Sequence, residues 1–147
     1  MFSEETLINM SDGTKKQINL INVGDKIMNK NLKPVTVSRV HMNTNQQIVS
    51  MLLDNGTSLF HCAPTTLFLS HTVNTNNHTT SSLPINTIHS NGSLLKKSNK
   101  LLANESDVSI STYDDTNHTL KDVYCIHTID PTQSFFVNDV ITSCNDI

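Results

Sequence analysis

The stretch Ser134-Phe135-Phe136-Val137-Asn138-Asp139-Val140-Ile141 reads as the last hairpin of a β protein. On adjacent strand positions Phe135 and Phe136 face opposite sides, so at least one of them packs in a core. Outward from this hairpin the same grammar recurs: short alternating runs bounded by turn residues, and few stretches with helical periodicity. Residues 6–10 read as a strand and 11–14 as a tight turn. Residues 17–21 alternate, with Ile18 and Leu20 on one face and Asn19 and Ile21 on the other. Residues 34–42 form the next strand. The clearest hairpin is 47–62, because Asn55-Gly56 between two apolar arms tolerates positive φ. Short apolar strands follow at 65–71, 107–113 and 121–129, with a weaker segment at 83–102 that turns at Asn91-Gly92. Residues 72–82 are almost wholly Asn, Thr, Ser and His, and are expected to be a mobile polar surface loop. Strands spaced in this way, without an internal repeat, predict a compact all-β fold.

The 147 residues fit one domain, 1–147. Only 36% are hydrophobic, but only 16% are charged, so the disordered signature of low hydrophobicity with high net charge is missing. A formal charge of -3, with no basic cluster beyond Lys96-Lys97, gives no electrostatic case for nucleic acid. No apolar run approaches the roughly 18 residues of a membrane span. No leader is signalled, which favours an intracellular protein. Asn-x-Ser/Thr triplets, as at Asn55 and Asn77, follow from the composition and make no case for glycosylation. Cys62, Cys125 and Cys144 form an odd set without close spacing, which argues against a disulfide framework. His61-Cys62 with the other two cysteines could suggest zinc. Without Cys-x-x-Cys or His-x-x-x-His, no metal and no cofactor is expected.

Several short motifs occur in a particular order: Thr6-Leu7-Ile8, Asp12-Gly13, Val23-Gly24-Asp25, Ala63-Pro64-Thr65-Thr66-Leu67-Phe68-Leu69, Val123-Tyr124-Cys125 and Phe135-Phe136-Val137-Asn138-Asp139. Together they resemble the Hint family, the self-cleaving domains of inteins and hedgehog-type proteins. The resemblance spans residue 1 to about 145, apart from the polar stretch and the segment after it. It implies a horseshoe-like β fold with the two chain ends close together. It also implies self-catalysed cleavage or splicing at the domain's own N-terminus, with the flanking polypeptide as substrate and no cofactor.

Against the family pattern the site residues depart. Met1 stands where the attacking cysteine is expected, and a thioether has no proton to lose and cannot become a thiolate. Ala63 stands for a Thr that helps position the amide. Thr66 stands for a His that carries a proton near neutral pH. Aligned without a gap, Ser143 takes the penultimate His position and Cys144 that of the cyclising Asn; one extra residue restores Asn145 and puts Cys144 before it. These departures imply an impaired standard reaction.

Cys125 occupies a position usually held by Asp. In some inteins lacking the N-terminal nucleophile, a cysteine on this strand attacks the N-terminal junction directly. Cys125 can thus be read as the nucleophile, with His127 on the same strand face, or as a small buried hydrophobe. Cys144 is then a second thiol near the ends and Asn145 a cyclising residue. Asp146 cannot serve as the thiol or hydroxyl acceptor of splicing. The alternative function is a non-catalytic Hint-like scaffold within a larger protein assembly. His71, His78, His89 and His118 are read as solvated loop residues, and Tyr113 and Tyr124 as packing residues.

Overall fold

The computed structural model of the chain describes residues 1–54, 59–74, 77–97, 107–116 and 119–144. The strands are β1 Phe2–Ser3, β2 Leu7–Asn9, β3 Lys15–Gln17, β4 Lys26–Met28, β5 Pro34–Gln47, β6 Val49–Leu53, β7 Leu59–Cys62, β8 Leu67–Asn74 and β9 Asn77–Pro84. A short helix, α1 Ile85–Asn91, precedes β10 Leu94–Leu95, β11 Ile110–Asp114, β12 Leu120–Thr128, β13 Ser134–Val137 and β14 Val140–Ser143. The fold is all-β, as expected. One antiparallel sheet runs β11-β6-β7-β1-β12-β5-β4, and a second runs β10-β8-β14-β13-β2-β3 with β9 paired to β8.

The two-residue strand β1 lies inside the first sheet, with Phe2 opposite Cys62 on β7 and Tyr124 on β12. Its anchor is apolar. The Phe2 ring sits 6.4 Å from Phe60 and 5.7 Å from Phe68, and those two rings are 5.9 Å apart. All three are buried, and edge-on contacts of this kind add to the area each ring removes from water. The second sheet contributes Phe135, Val137, Val140 and Ile8 to the same core. Phe136 faces the other way, onto Leu69, Ile141 and Met28. The two phenylalanines do point to opposite sides, and both are buried.

The β13–β14 hairpin turns on Asn138 and Asp139 alone, both at positive φ (46° and 71°), as a two-residue turn of matching twist demands. Asn9 donates to the Asp139 carboxylate at 2.7 Å and Lys15 at 2.8 Å, while the Asp139 N–H returns a bond to Asn9 at 3.0 Å. Burial raises the Asp139 pKa, but these donors outweigh it and hold the carboxyl below its usual value. The turn is thereby pinned to β2 and β3.

The structure corrects three local expectations. Residues 18–20 form a 3-10 turn, in which Ile18 and Ile21 share the buried side and Leu20 is exposed. Within 72–82, the described residues form strands, with Thr72 paired to Thr79 and His71 to Thr80. β-Branched threonine suits a strand, and the ladder satisfies the backbone that composition alone assigned to solvent. The segment after it contains α1, too short to show a helical period. Ile85 and Ile88 give it one buried side, and Gly92, at φ 72°, ends it in the left-handed region. The turn at Asn55-Gly56 lies outside the described residues.

Lys96 and Asp107 form an ion pair at 3.0 Å with both side chains fully buried. The Lys96 backbone donates to Leu69 on β8 and accepts from Ile141 on β14. Asp107→Ala removes the carboxylate paired with a buried ammonium and is expected to cost about 3–5 kcal/mol in urea unfolding. Replacing the pair by apolar residues, Lys96→Met with Asp107→Leu, should recover most of that loss.

Candidate functional site

Because β1 is held between β7 and β12, residue 1 emerges at the corner where β7 leaves the first sheet and β8 joins the second. The turn there, Ala63 to Thr66, closes with the Thr66 N–H on the Ala63 carbonyl at 3.0 Å. It grips residue 1 on both sides of its Cα. The Ala63 N–H donates to the Met1 carbonyl at 2.9 Å, and the Thr66 hydroxyl lies 3.0 Å from that same oxygen. The Met1 nitrogen donates to Thr66 Oγ1 at 2.8 Å. Thr66 Oγ1 is also 2.7 Å from the Ala63 carbonyl, so its single proton is shared between two acceptors. Thr66 is buried and has no imidazole chemistry to offer. It holds residue 1 in place.

The Met1 side chain packs with Ile48, Val123, Cys125, Ala63 and Cys144. The fold thus gathers Met1, Ala63, Thr66, Cys125 and Cys144 at one point. Ser143 ends β14 opposite Ser134 and Leu67, one residue before Cys144. Asn145 lies outside the described residues. The hairpin has no bulge between Val137–Val140 and Ser134–Ser143.

Cys125 and Cys144 are joined as a disulfide with a Cα–Cα distance of 5.9 Å, inside the range such bonds require. This corrects the expectation that the cysteines stay unpaired. Spacing was no guide, because the pair is made by β12 and the end of β14 meeting beside residue 1. The ligand atoms of Cys125, His127 and Cys144 all lie within 4.8 Å of one another. The cluster arises across strands rather than within a motif.

Two nearby residues, Asn43 and His41, were not singled out by the sequence. Asn43 donates to the Met1 sulfur at 3.4 Å, and its amide oxygen is 3.1 Å from His41 Nε2; His41 is the register partner of Cys125. Both lie on the part of β5 next to β12, and the alternation along β5 is too polar to mark them. Cys62, opposite Phe2, is a buried thiol. Burial pushes it up to about 11, although the amino group of residue 1 and the Thr66 hydroxyl pull the other way. At neutral pH it stays a thiol and is no nucleophile.

The histidines also part from expectation. His71 is buried on β8 rather than solvated. His89 is exposed but lies flat on Tyr113 at 4.0 Å, clamping α1 to β11. Only the backbone of His78 is described, and His118 lies outside the described residues.

No protein-family model matches the sequence, and no curated protein sequence matches it. Solved structures do. The DnaB intein from Synechocystis sp. PCC 6803 superposes with a TM-score of 0.69, at 18% identity, over 99% of this chain and 98% of that one. The fold is that of the inteins. The gp41-1 intein gives a TM-score of 0.70 at 17% identity over 97% of each chain. The MchDnaB-1 intein gives 0.64 at 12% identity over 98% and 100%. At such identities the intein likeness is one of backbone, and the side chains at the corner must be argued from their own chemistry.

The Thr66 hydroxyl is the piece of that chemistry easiest to remove. Thr66→Val preserves shape but removes the hydroxyl that accepts from the Met1 nitrogen at 2.8 Å, at a cost of about 1–3 kcal/mol. Thr66→Ser keeps the hydroxyl and should recover most of the loss. Denaturant midpoints of the two variants check this, and equal losses would contradict it.

Proposed function

We propose that the chain is one intein-like self-processing domain whose substrate is its own flanking polypeptide, and that the standard route through residue 1 is closed to it. In its place the Cys125 thiolate attacks the carbonyl of a residue preceding Met1. The observation that carries this reading is the packing of the Cys125 side chain against Met1, while Ala63 and Thr66 hold the carbonyl and nitrogen of residue 1. Held geometry of this kind turns a bimolecular attack into a local one.

In the reaction the thiol proton passes to His127, which shares a face of β12 with Cys125. The new C–S bond forms as the C–N bond to Met1 breaks, and His127 returns the proton to the leaving nitrogen. The product is a thioester on Cys125, which water or an added thiol resolves. Thr66 contributes position only, since a hydroxyl is too weak an acid or base at pH 7 to replace imidazole. The disulfide must first be reduced, because a sulfur bonded to sulfur is not a nucleophile. Cleavage of the N-terminal flank is the supported outcome. Joining of the flanks is not, as Asp146 offers neither thiol nor hydroxyl.

The test is intact-mass spectrometry of the chain fused between two inert flanking domains. Reductant should release the N-terminal flank, Cys125→Ala should abolish release, and Cys144→Ala should remove the need for reductant. Thr66→Val should slow release roughly tenfold, in line with one lost hydrogen bond of 1–3 kcal/mol. An unchanged mass over days, from folded and reduced protein, would leave the scaffold reading in its place.

A further inference from the structure

We propose that the cavity between the β2–β3, β4–β5 and β13–β14 turns is a binding site for a small apolar molecule bearing a single carboxylate. Its volume is about 450 Å3, within the range of small-ligand pockets. Met10, Met28, Leu32 and Phe136 give it apolar walls, and Lys97 and Asp139 bring charge to it. None of its lining residues belongs to the corner around residue 1, so the site does not depend on the function proposed above.

The apolar walls are built to meet something. Phe136 points away from the main core and packs with Met28. Two methionines make an adaptable lining, since an unbranched, polarizable chain fits itself to an irregular outline. Leu32 is the less expected wall. It is 67% exposed, and its backbone lies at φ 59°, where glycine or asparagine would sit at lower cost. The turn holds it there. The Leu32 N–H donates to the Asn29 carbonyl at 2.9 Å, and the Asn29 side-chain oxygen accepts from the N–H groups of Asn31 and Lys33 at 2.9 and 3.0 Å. A strained backbone that presents an exposed leucine to a cavity is a cost that a bound apolar group offsets.

Lys97 sets the charge of the ligand. The Asp139 carboxylate has one oxygen on Asn9 at 2.7 Å and the other on Lys15 at 2.8 Å, so its charge is already matched. Lys97 acts on that carboxylate electrostatically as well. Two ammonium groups around one carboxylate leave one positive charge in excess. Asp12, in the neighbouring turn, is exposed and accepts from the N–H and hydroxyl of Thr14. A ligand carboxylate takes up the excess, whereas an amine would meet Lys97 with like charge.

The experiment uses the full chain with 13C-labelled methionine methyl groups, titrated with decanoate below its micellar range. Of the five methionines, Met10 and Met28 line the cavity and Met1, Met42 and Met51 do not. The expected result is a saturable shift of the Met10 and Met28 signals alone, at one decanoate per chain. Lys97→Gln should weaken decanoate about tenfold or more, the worth of one charge-assisted hydrogen bond, and leave decanol unchanged. Leu32→Asn should weaken both, while the thermal midpoint holds or rises because asparagine tolerates that φ. An absence of shifts would overturn the site, as would a Met42 shift as large as that of Met10. Decylammonium binding as tightly as decanoate would overturn the charge assignment. Shifts of Met10 and Met28 on raising the protein concentration without decanoate would place a second copy of the chain there and overturn the small-ligand reading.

Discussion

The insertion of a two-residue strand, Phe2–Ser3, between β7 and β12 is the constraint on which the rest depends. So short a strand has little ladder of its own, and the Phe2 ring supplies what the ladder cannot by packing onto Phe60 and Phe68. Once β1 is fixed, residue 1 has nowhere to go except the Ala63–Thr66 corner. The same corner receives the end of β14, because β8 begins there and pairs with Thr142 and Ser143. Core packing at Phe2 therefore sets the geometry of a polar site one residue away.

What the site can do follows from which groups meet there. The clamp on residue 1 is made of a backbone N–H and a hydroxyl, groups that orient an amide without moving protons at neutral pH. Under the function proposed above, proton transfer falls to His127 and nucleophilic attack to Cys125. That thiol is controlled by its neighbour Cys144 through a bond that reduction opens. Cys62, although opposite Phe2, is kept out of the chemistry by burial.

Much of this was legible in the sequence where local pattern and tertiary role agree. The last hairpin, the strand at β12 and the order of the short motifs pointed to the right fold, because alternation and turn residues act over a few positions. Residues 18–21, the Thr-rich β8–β9 hairpin and α1 were not legible. There the deciding forces are a shared buried side at i and i+3, a ladder that satisfies polar backbone, and a cap at Gly92. Met1, Ala63, Thr66, Cys125 and Cys144 could be named from motif order, and the resemblance implied that the chain ends lie close together, but the contacts among these residues could not be read. The disulfide, the Cys125–His127–Cys144 cluster and the Asn43 bridge from His41 to Met1 depend on β5, β12 and β14 converging, and no spacing in one strand encodes that. Asn145 lies outside the described residues.

The most direct test of the central claim, that residue 1 is locked into the β7–β8 corner, is native-state hydrogen exchange at the Ala63 amide. With the Met1 carbonyl as its acceptor at 2.9 Å, this N–H should exchange only through large-scale opening, as slowly as the core amides of β7 and β12. Exchange at the rate of a solvent-exposed turn amide, in a protein whose core strands stay protected, would contradict the account.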